Sequence, residues 1–169
     1  MKSILTVRLA AGFPACWLSI TVSLTLSSLG CAAELPREAV VARVIDGDTI
    51  ELLDGRLVRY IGIDTPEVRR REGDRWIKDP EPFGEAATEA NRRLVEGKRI
   101  RIEYDVQRRD RHGRLLAYVF VGDVMANAKL LEEGYAQLLT IPPNLKYVEE
   151  FRRLADEARA HRRGLWKKR

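Results

Sequence analysis

Apolar residues recur along this chain with two periods, and the changes between them mark out its elements. Residues 39–45 (AVVARVI) are β-branched and apolar and predict a strand. Thr49–Leu53 and Arg56–Ile63 predict two more. Asp54-Gly55 between them is a strong short-range hairpin signal, and as a two-residue turn it sets Asp48 opposite Ile61 and Ile50 opposite Arg59. The charged stretch 68–82, with Asp79-Pro80-Glu81-Pro82, predicts an exposed loop. Phe83, Ala86, Ala87, Ala90 and Leu94 follow helical spacing, with Gly97 placed to cap the C-terminal end. Arg99–Val106 alternates Ile100, Ile102 and Tyr104 against charges, and Leu115–Val121 is an apolar run, so both predict strands. Met125–Glu133 predicts a short helix ended by Gly134. Tyr135–Ile141 reads as a short strand or a loop, broken by Pro142-Pro143-Asn144. Tyr147, Phe151, Leu154, Ala158 and Leu165 form the stripe of a last helix that Gly164 should end.

Five strands, two or three helices and a helix between the third and fourth strands give an α+β chain. That order fits a small Greek-key β-barrel of the OB type. The first 33 residues stand apart: Lys2 and Arg8 are their only charges, the run from Leu9 to Leu29 is apolar or small, and Cys31-Ala32-Ala33 precedes the return of charge at Glu34. This is the pattern of a secretory signal peptide over 1–33, with an uncleaved anchor and a lipoprotein-type attachment at Cys31 as alternatives. The expectation is an exported protein, periplasmic, secreted or anchored in the envelope, with its domain over residues 36–167. Both cysteines, Cys16 and Cys31, fall in the leader, so the remaining domain has neither a disulfide nor a thiol ligand.

Composition adds little. With 45% hydrophobic and 33% charged residues the 169-residue chain is neither disordered nor a multi-span membrane protein. Its net charge of +5 permits an anionic partner without demanding one.

The candidate chemistry lies in three stretches, Asp46-Gly47-Asp48-Thr49, Ile63-Asp64-Thr65-Pro66-Glu67 and Asp110-Arg111-His112-Gly113-Arg114. Asp48 and Arg59 share a face near the open end of the predicted hairpin. Asp64 joins them only if the chain bends near Gly62 or the strand ends before Pro66. Asp46, Asp48, Asp64 and Glu67 would then converge, and clustered carboxylates repel unless a cation or a proton sits among them. Their hard oxygens select Ca²⁺, Mg²⁺ or Mn²⁺ over zinc. Read as residues alone, Asp46 and Asp64 serve equally well as turn caps beside Gly47 and Gly62. Arg59 lies in an otherwise apolar strand and needs an anion, either Asp48 or a bound phosphate. Arg114, in a tight turn, can reach the same place. A cation, a carboxylate able to act on water and two arginines are what phosphodiester hydrolysis requires.

The words VIDGDTI, VRYIGIDTPE, FGEAAT, DRHGR, LLAYVF, NAKLLEEGYA and RRGLW, spread over residues 39–166, resemble the staphylococcal nuclease (thermonuclease) family. The resemblance implies an OB-fold barrel of five strands with three helices. It implies a monomeric Ca²⁺-dependent endonuclease that acts on DNA and RNA, leaves 3′-phosphate ends and uses no organic cofactor. It assigns Asp48 and Asp64 as calcium carboxylates, the Thr65 backbone carbonyl as a further ligand and Asp46 as an outer-shell acid. It assigns Glu67 as candidate general base and Arg59 and Arg114 as phosphate-binding catalytic groups. The chain departs from the family where tyrosines are expected, having His112 and Thr140. It departs again in a longer 68–82 segment rich in arginine (Arg69, Arg70, Arg71, Arg75) with Trp76, whose charge and stacking suit a nucleic-acid strand. Two other readings stay open, a noncatalytic OB-fold nucleic-acid-binding module and an envelope domain whose acids hold a structural ion.

Overall fold

The computed structural model of the chain describes residues 34–79 and 81–167; the expected leader, with Cys16 and Cys31, lies outside them. Strand β1 (Glu38–Asp46) pairs antiparallel with β2 (Thr49–Leu52), and β2 pairs antiparallel with β3 (Leu57–Tyr60). A two-residue strand, β4 (Ile63–Asp64), is followed by a separate hairpin of β5 (Arg69–Glu72) and β6 (Arg75–Lys78). Helix α1 (Gly84–Val95) leads into β7 (Arg99–Glu103), which returns to β1, and β8 (Leu115–Val121) runs antiparallel to β7. Strand β9 (Val124–Met125) extends that edge into helix α2 (Ala126–Glu132). Strand β10 (Gln137–Leu138) then pairs with β4, and helix α3 (Val148–Ala160) and a 3-10 turn at Gly164–Trp166 complete the described chain.

One parallel ladder turns this open sheet into a barrel. Val58, Arg59 and Tyr60 of β3 lie opposite Leu115, Leu116 and Ala117 of β8, so β1, β2, β3, β8 and β7 close on themselves. The fold is therefore the expected α+β barrel of five strands with three helices. Its interior follows the period-2 alternation of the strands: Ile50, Leu52, Val58, Ile100, Ile102 and Leu115 are buried. Removing these side chains from water supplies most of the driving force, at about 25 cal/mol per Å² of apolar surface.

Four sequence expectations needed correction. The β2–β3 connection is not a two-residue turn. Gly55 N donates to Leu52 O and Leu52 N donates to Arg56 O, leaving three loop residues with Gly55 at φ 83°. A β-turn followed by a left-handed residue is the usual three-residue hairpin. The ladder is shifted by one: Thr49, not Ile50, lies opposite Arg59, and Ile50 lies opposite Val58. This register keeps Ile50 in the core and frees Arg59 for the outer face. The predicted strand Arg56–Ile63 is split, ending at Tyr60 and resuming as β4 after Gly62. Residues 68–82, expected as a loop, contain the β5–β6 hairpin, closed at Gly73-Asp74 with Glu72 opposite Arg75. Finally, α3 stops at Ala160, before Arg162 (φ 53°), and Leu165 belongs to the 3-10 turn beyond it.

A buried amide ties the helical layer to the barrel closure. Asn127 on α2 accepts from Val119 N at 3.0 Å and donates to Ile61 O at 2.9 Å. It is fully enclosed, so its removal strands backbone groups that water cannot reach. Asn127→Ala is expected to destabilise the protein by about 3 kcal/mol, the scale for two unsatisfied buried groups, read as a fall in the urea midpoint.

Candidate active site

Asp48 sits in the connection between β1 and β2 and is 3% exposed. A carboxylate so enclosed must be fully hydrogen-bonded. Its Oδ2 accepts from Thr65 N at 2.9 Å and Thr65 Oγ1 at 3.0 Å, and its Oδ1 accepts from Thr49 Oγ1 at 3.1 Å. The guanidinium of Arg59 makes an ion pair with the same Oδ1. Arg59 Nη2 also donates to Asp64 Oδ1 at 2.6 Å, so one cation bridges two aspartates that are 16 residues apart in sequence. The one-residue register shift overturns the expected sharing of a strand face, because Thr49 now lies opposite Arg59; Asp48 precedes the ladder and reaches Arg59 from the turn instead.

Asp64 arrives by the bend that its position required. Gly62 has φ 83°, and a Cβ there would lie 2.6 Å from the Phe151 ring. The chain can thus turn out of β3 and pair Asp64 with Gln137. Gly47 permits a second close approach, since a Cβ there would be 2.6 Å from Thr65 Oγ1. Thr65 itself is buried and ties β4 to the Asp46–Thr49 turn through Asp48.

Asp46, Glu67, His112 and Arg114 line a cleft of about 700 Å³ against the β1–β2–β3 sheet. Asp46 Oδ1 accepts from Asp48 N at 3.2 Å. Burial raises the Asp46 carboxyl above the ordinary range, against hydrogen bonding from Thr49 and the positive charge of Arg59 and Arg114. Glu67 is raised as well, first by burial and then by the charge of Asp46. Its backbone is clamped to the start of α1: Glu81 N donates to Glu67 O at 2.8 Å, and Gly84 packs against that carbonyl. Arg114 also borders a second hollow, of about 270 Å³, shared with Arg59. His112 is exposed with its N–H on Asp110. Thr140 is exposed and lines neither hollow.

The donor set suits a hard divalent cation. Asp48, Asp64 and the Thr65 carbonyl offer oxygen only, and the two carboxylates already require a positive charge between them. Among the described residues there is no cluster of three or more His, Cys, Asp or Glu side chains poised as ligands. The fit therefore rests on the aspartate pair with backbone oxygen, and Arg59 occupies the place between the carboxylates.

The chain is similar in sequence to known nucleases. The profile described as staphylococcal nuclease homologue matches residues 57–168, a span that holds Arg59, Asp64, Thr65, Glu67 and Arg114. A thermonuclease of Staphylococcus intermedius is 39% identical over 132 residues, 76% of this chain and 76% of the relative. A thermonuclease of Staphylococcus hyicus is 39% identical over 75% of this chain and 73% of the relative. The endonuclease YncB of Bacillus subtilis (strain 168) is 38% identical over 75% of this chain and 60% of the relative. The chain belongs to the staphylococcal nuclease family.

In this family member, two positioning groups escaped the sequence reading. Asp110 accepts from Arg114 N at 3.0 Å and from Arg114 Nε at 2.6 Å, fixing the arginine at both ends. Burial works to raise the Asp110 carboxyl, but the hydrogen bonds from Arg114 and His112 outweigh it and hold it below the ordinary range. The Asp-x-x-Gly-Arg spacing was the available signal, an acid four residues before an arginine across a glycine turn. The other group is Asn91 on α1, which accepts from Tyr60 Oη at 2.9 Å and donates to Asp46 O at 3.2 Å. Helical periodicity hides it, because an asparagine on an apolar face carries no sequence mark of its partner.

The Phe151 ring packs against Tyr118 and Tyr147, with ring centroids 6.0 and 6.1 Å apart. Gly62→Ala is therefore expected to cost about 3 kcal/mol, combining a left-handed backbone with overpacking, measured by urea denaturation. A midpoint equal to the parent's would show that the bend tolerates a side chain.

Proposed function

We propose that this chain is a Ca²⁺-dependent endonuclease that cuts DNA and RNA to leave 3′-phosphate and 5′-hydroxyl ends. The observation that carries the reading is the shared rim on which Arg59 and Arg114 meet the carboxylates of Asp46, Asp48, Asp64 and Glu67. A structural barrel has no use for two arginines and four acids gathered where solvent and a polyanion can enter.

Asp48, Asp64 and the Thr65 carbonyl would hold the calcium ion, with Asp46 behind them, and the ion would supply charge that draws electron density from a phosphoryl oxygen. Glu67 aims a water at phosphorus and accepts its proton, a task helped by a carboxyl already raised toward the working range. The water oxygen bonds to phosphorus as the bond to the 5′-oxygen breaks, and that oxygen leaves with the bonding pair and takes a proton from solvent water to become a hydroxyl. Arg114, held by Asp110, and Arg59 offer planar donors to the oxygens on which charge accumulates.

The proposal includes an exported, monomeric protein. It rests on the charged start, apolar middle and small-residue end of residues 1–33, with attachment through Cys31 as one form of maturation. Among the described residues no helix is long and apolar enough to cross a membrane.

Plasmid and RNA digestion with calcium and with chelator, followed by end-group analysis, tests the activity. Calcium-dependent cutting to 3′-phosphates is expected; chelator-insensitive binding without cutting would instead mark a binding module. Asp48→Asn and Arg114→Ala are each expected to lower turnover at least about a hundredfold, the scale for one preorganised electrostatic group. Turnover within threefold of the parent in both would remove these residues from the chemistry. Asp110→Ala is expected to lower turnover by about tenfold while leaving the metal requirement unchanged, since it only orients Arg114.

A further inference from the structure

The run from Thr140 to Lys146, just before α3, is exposed at every position except one. Asn144 is 8% exposed, and a side-chain amide enclosed in a surface strap needs partners. It finds two on a single residue. Asn144 Oδ1 accepts from Gln107 N at 2.7 Å, and Asn144 Nδ2 donates to Gln107 O at 2.8 Å. The amide thus pairs with the Gln107 backbone as a neighbouring strand would, satisfying one donor and one acceptor together. Two other ties, Lys146 N to Asp105 Oδ2 at 3.1 Å and Tyr147 Oη to Glu103 Oε1 at 2.8 Å, hold the strap at the end of β7 and just beyond it.

Gln107 begins the segment that carries the Asp110–Arg114 turn. Gln107 Nε2 donates to Arg109 O at 2.8 Å, and Leu116 N donates to Arg108 O at 3.0 Å, so this segment runs along the start of β8. Arg109 Nη1 donates to Gly113 O at 2.9 Å, and Asp110 N donates to Arg114 O at 3.0 Å. Asp110 in turn accepts from Arg114 N and Arg114 Nε. A few short steps of hydrogen bond and backbone therefore connect Asn144 to the Arg114 guanidinium. Arg111, His112 and Gly113 are exposed, so hydrogen bonds rather than packing must fix the turn. Asn144, Gln107, Asp110 and Arg114 all line the hollow of about 270 Å³ that Arg59 borders.

We propose that Asn144 is a positioning residue for Arg114: through Gln107 it sets the Asp110–Arg114 turn against the hollow, and so the place at which the guanidinium meets a phosphate. The inference rests on the nuclease reading and deepens it, extending the machinery of that site to the strap before α3. A planar donor pair stabilises growing charge only when it is held at hydrogen-bond distance, and a displacement of about 1 Å from a remote change already lowers turnover strongly.

The test is a double-mutant cycle on calcium-dependent cleavage by the full-length protein, with turnover expressed per folded molecule from urea titration of each variant. Asn144→Ala is expected to lower kcat about tenfold with KM within twofold of the parent. In an Arg114→Ala background the same substitution is expected to change kcat less than twofold, because the group it places is gone. Asn144→Asp keeps the acceptor for Gln107 N and loses the donor to Gln107 O, so a smaller loss of the same kind is expected; it replaces Asn144→Ala in the cycle if that variant does not fold. A second readout needs no cleavage. The NMR signal of the Arg114 Nε–H, identified by its absence in Arg114→Ala, is expected to exchange slowly with water in the parent and to lose that protection in Asn144→Ala. Equal losses of kcat in the two backgrounds, a loss confined to the urea midpoint, or an unaltered Nε–H signal would overturn the proposal. A parent that never cuts, while the Nε–H signal responds to Asn144→Ala, defeats the nuclease reading alone. A parent that cuts with calcium, while the cycle is additive and the signal unmoved, defeats the positioning role alone.

Discussion

A carboxylate cannot be buried without something positive or hydrogen-bonded beside it, and Asp48 is where this constraint organises the protein. Thr65 supplies two donors, Thr49 a third and Arg59 a charge, and each of these comes from a different place in the chain. To satisfy Asp48, the β1–β2 turn must lie against the segment after Gly62, and β3 must present Arg59 outward. Asp64 is then drawn to the other side of the same guanidinium. The site is a consequence of neutralising one acid, and breaking a single partner would leave an uncompensated charge in a nearly dry position.

The core elements were legible because alternation and helical stripes are direct images of burial. Val41 and Val44 of the run before Asp46, the alternating Ile100 and Ile102 and the stripe of Phe151, Leu154 and Ala158 all lie in the interior. The failures share a cause: each turned on backbone geometry that side-chain pattern does not encode. The Asp54-Gly55 pair suits a two-residue turn, but a third residue, Leu53, enters the loop and shifts the ladder by one. The arginines of residues 68–82 are hydrophilic enough to look like loop, yet opposed strands around Gly73-Asp74 satisfy the backbone as well as solvent does.

The candidate site was partly legible for a different reason. Acids and arginines in apolar surroundings are conspicuous, so Asp48, Arg59 and Asp64 could be grouped before any coordinates, and the structure brings those three together. The groups that hold the site in place were not visible. Asp110 and Asn91 act through hydrogen bonds, to a neighbouring turn and to the backbone of a distant strand respectively, and neither residue type is unusual where it stands. Thr140 is exposed and lies between Leu139 and Ile141, which border the smaller hollow.

The parallel ladder between β3 and β8 does more than complete a barrel. Arg59 lies opposite Leu116, and Arg114 stands just ahead of Leu115, so one seam brings both guanidinium groups to neighbouring strands. Residues more than fifty positions apart in sequence must find each other before that seam exists, a slow kind of pairing for a folding chain. Nascent or unravelled copies consequently carry all of these side chains without the closed seam that sets them side by side.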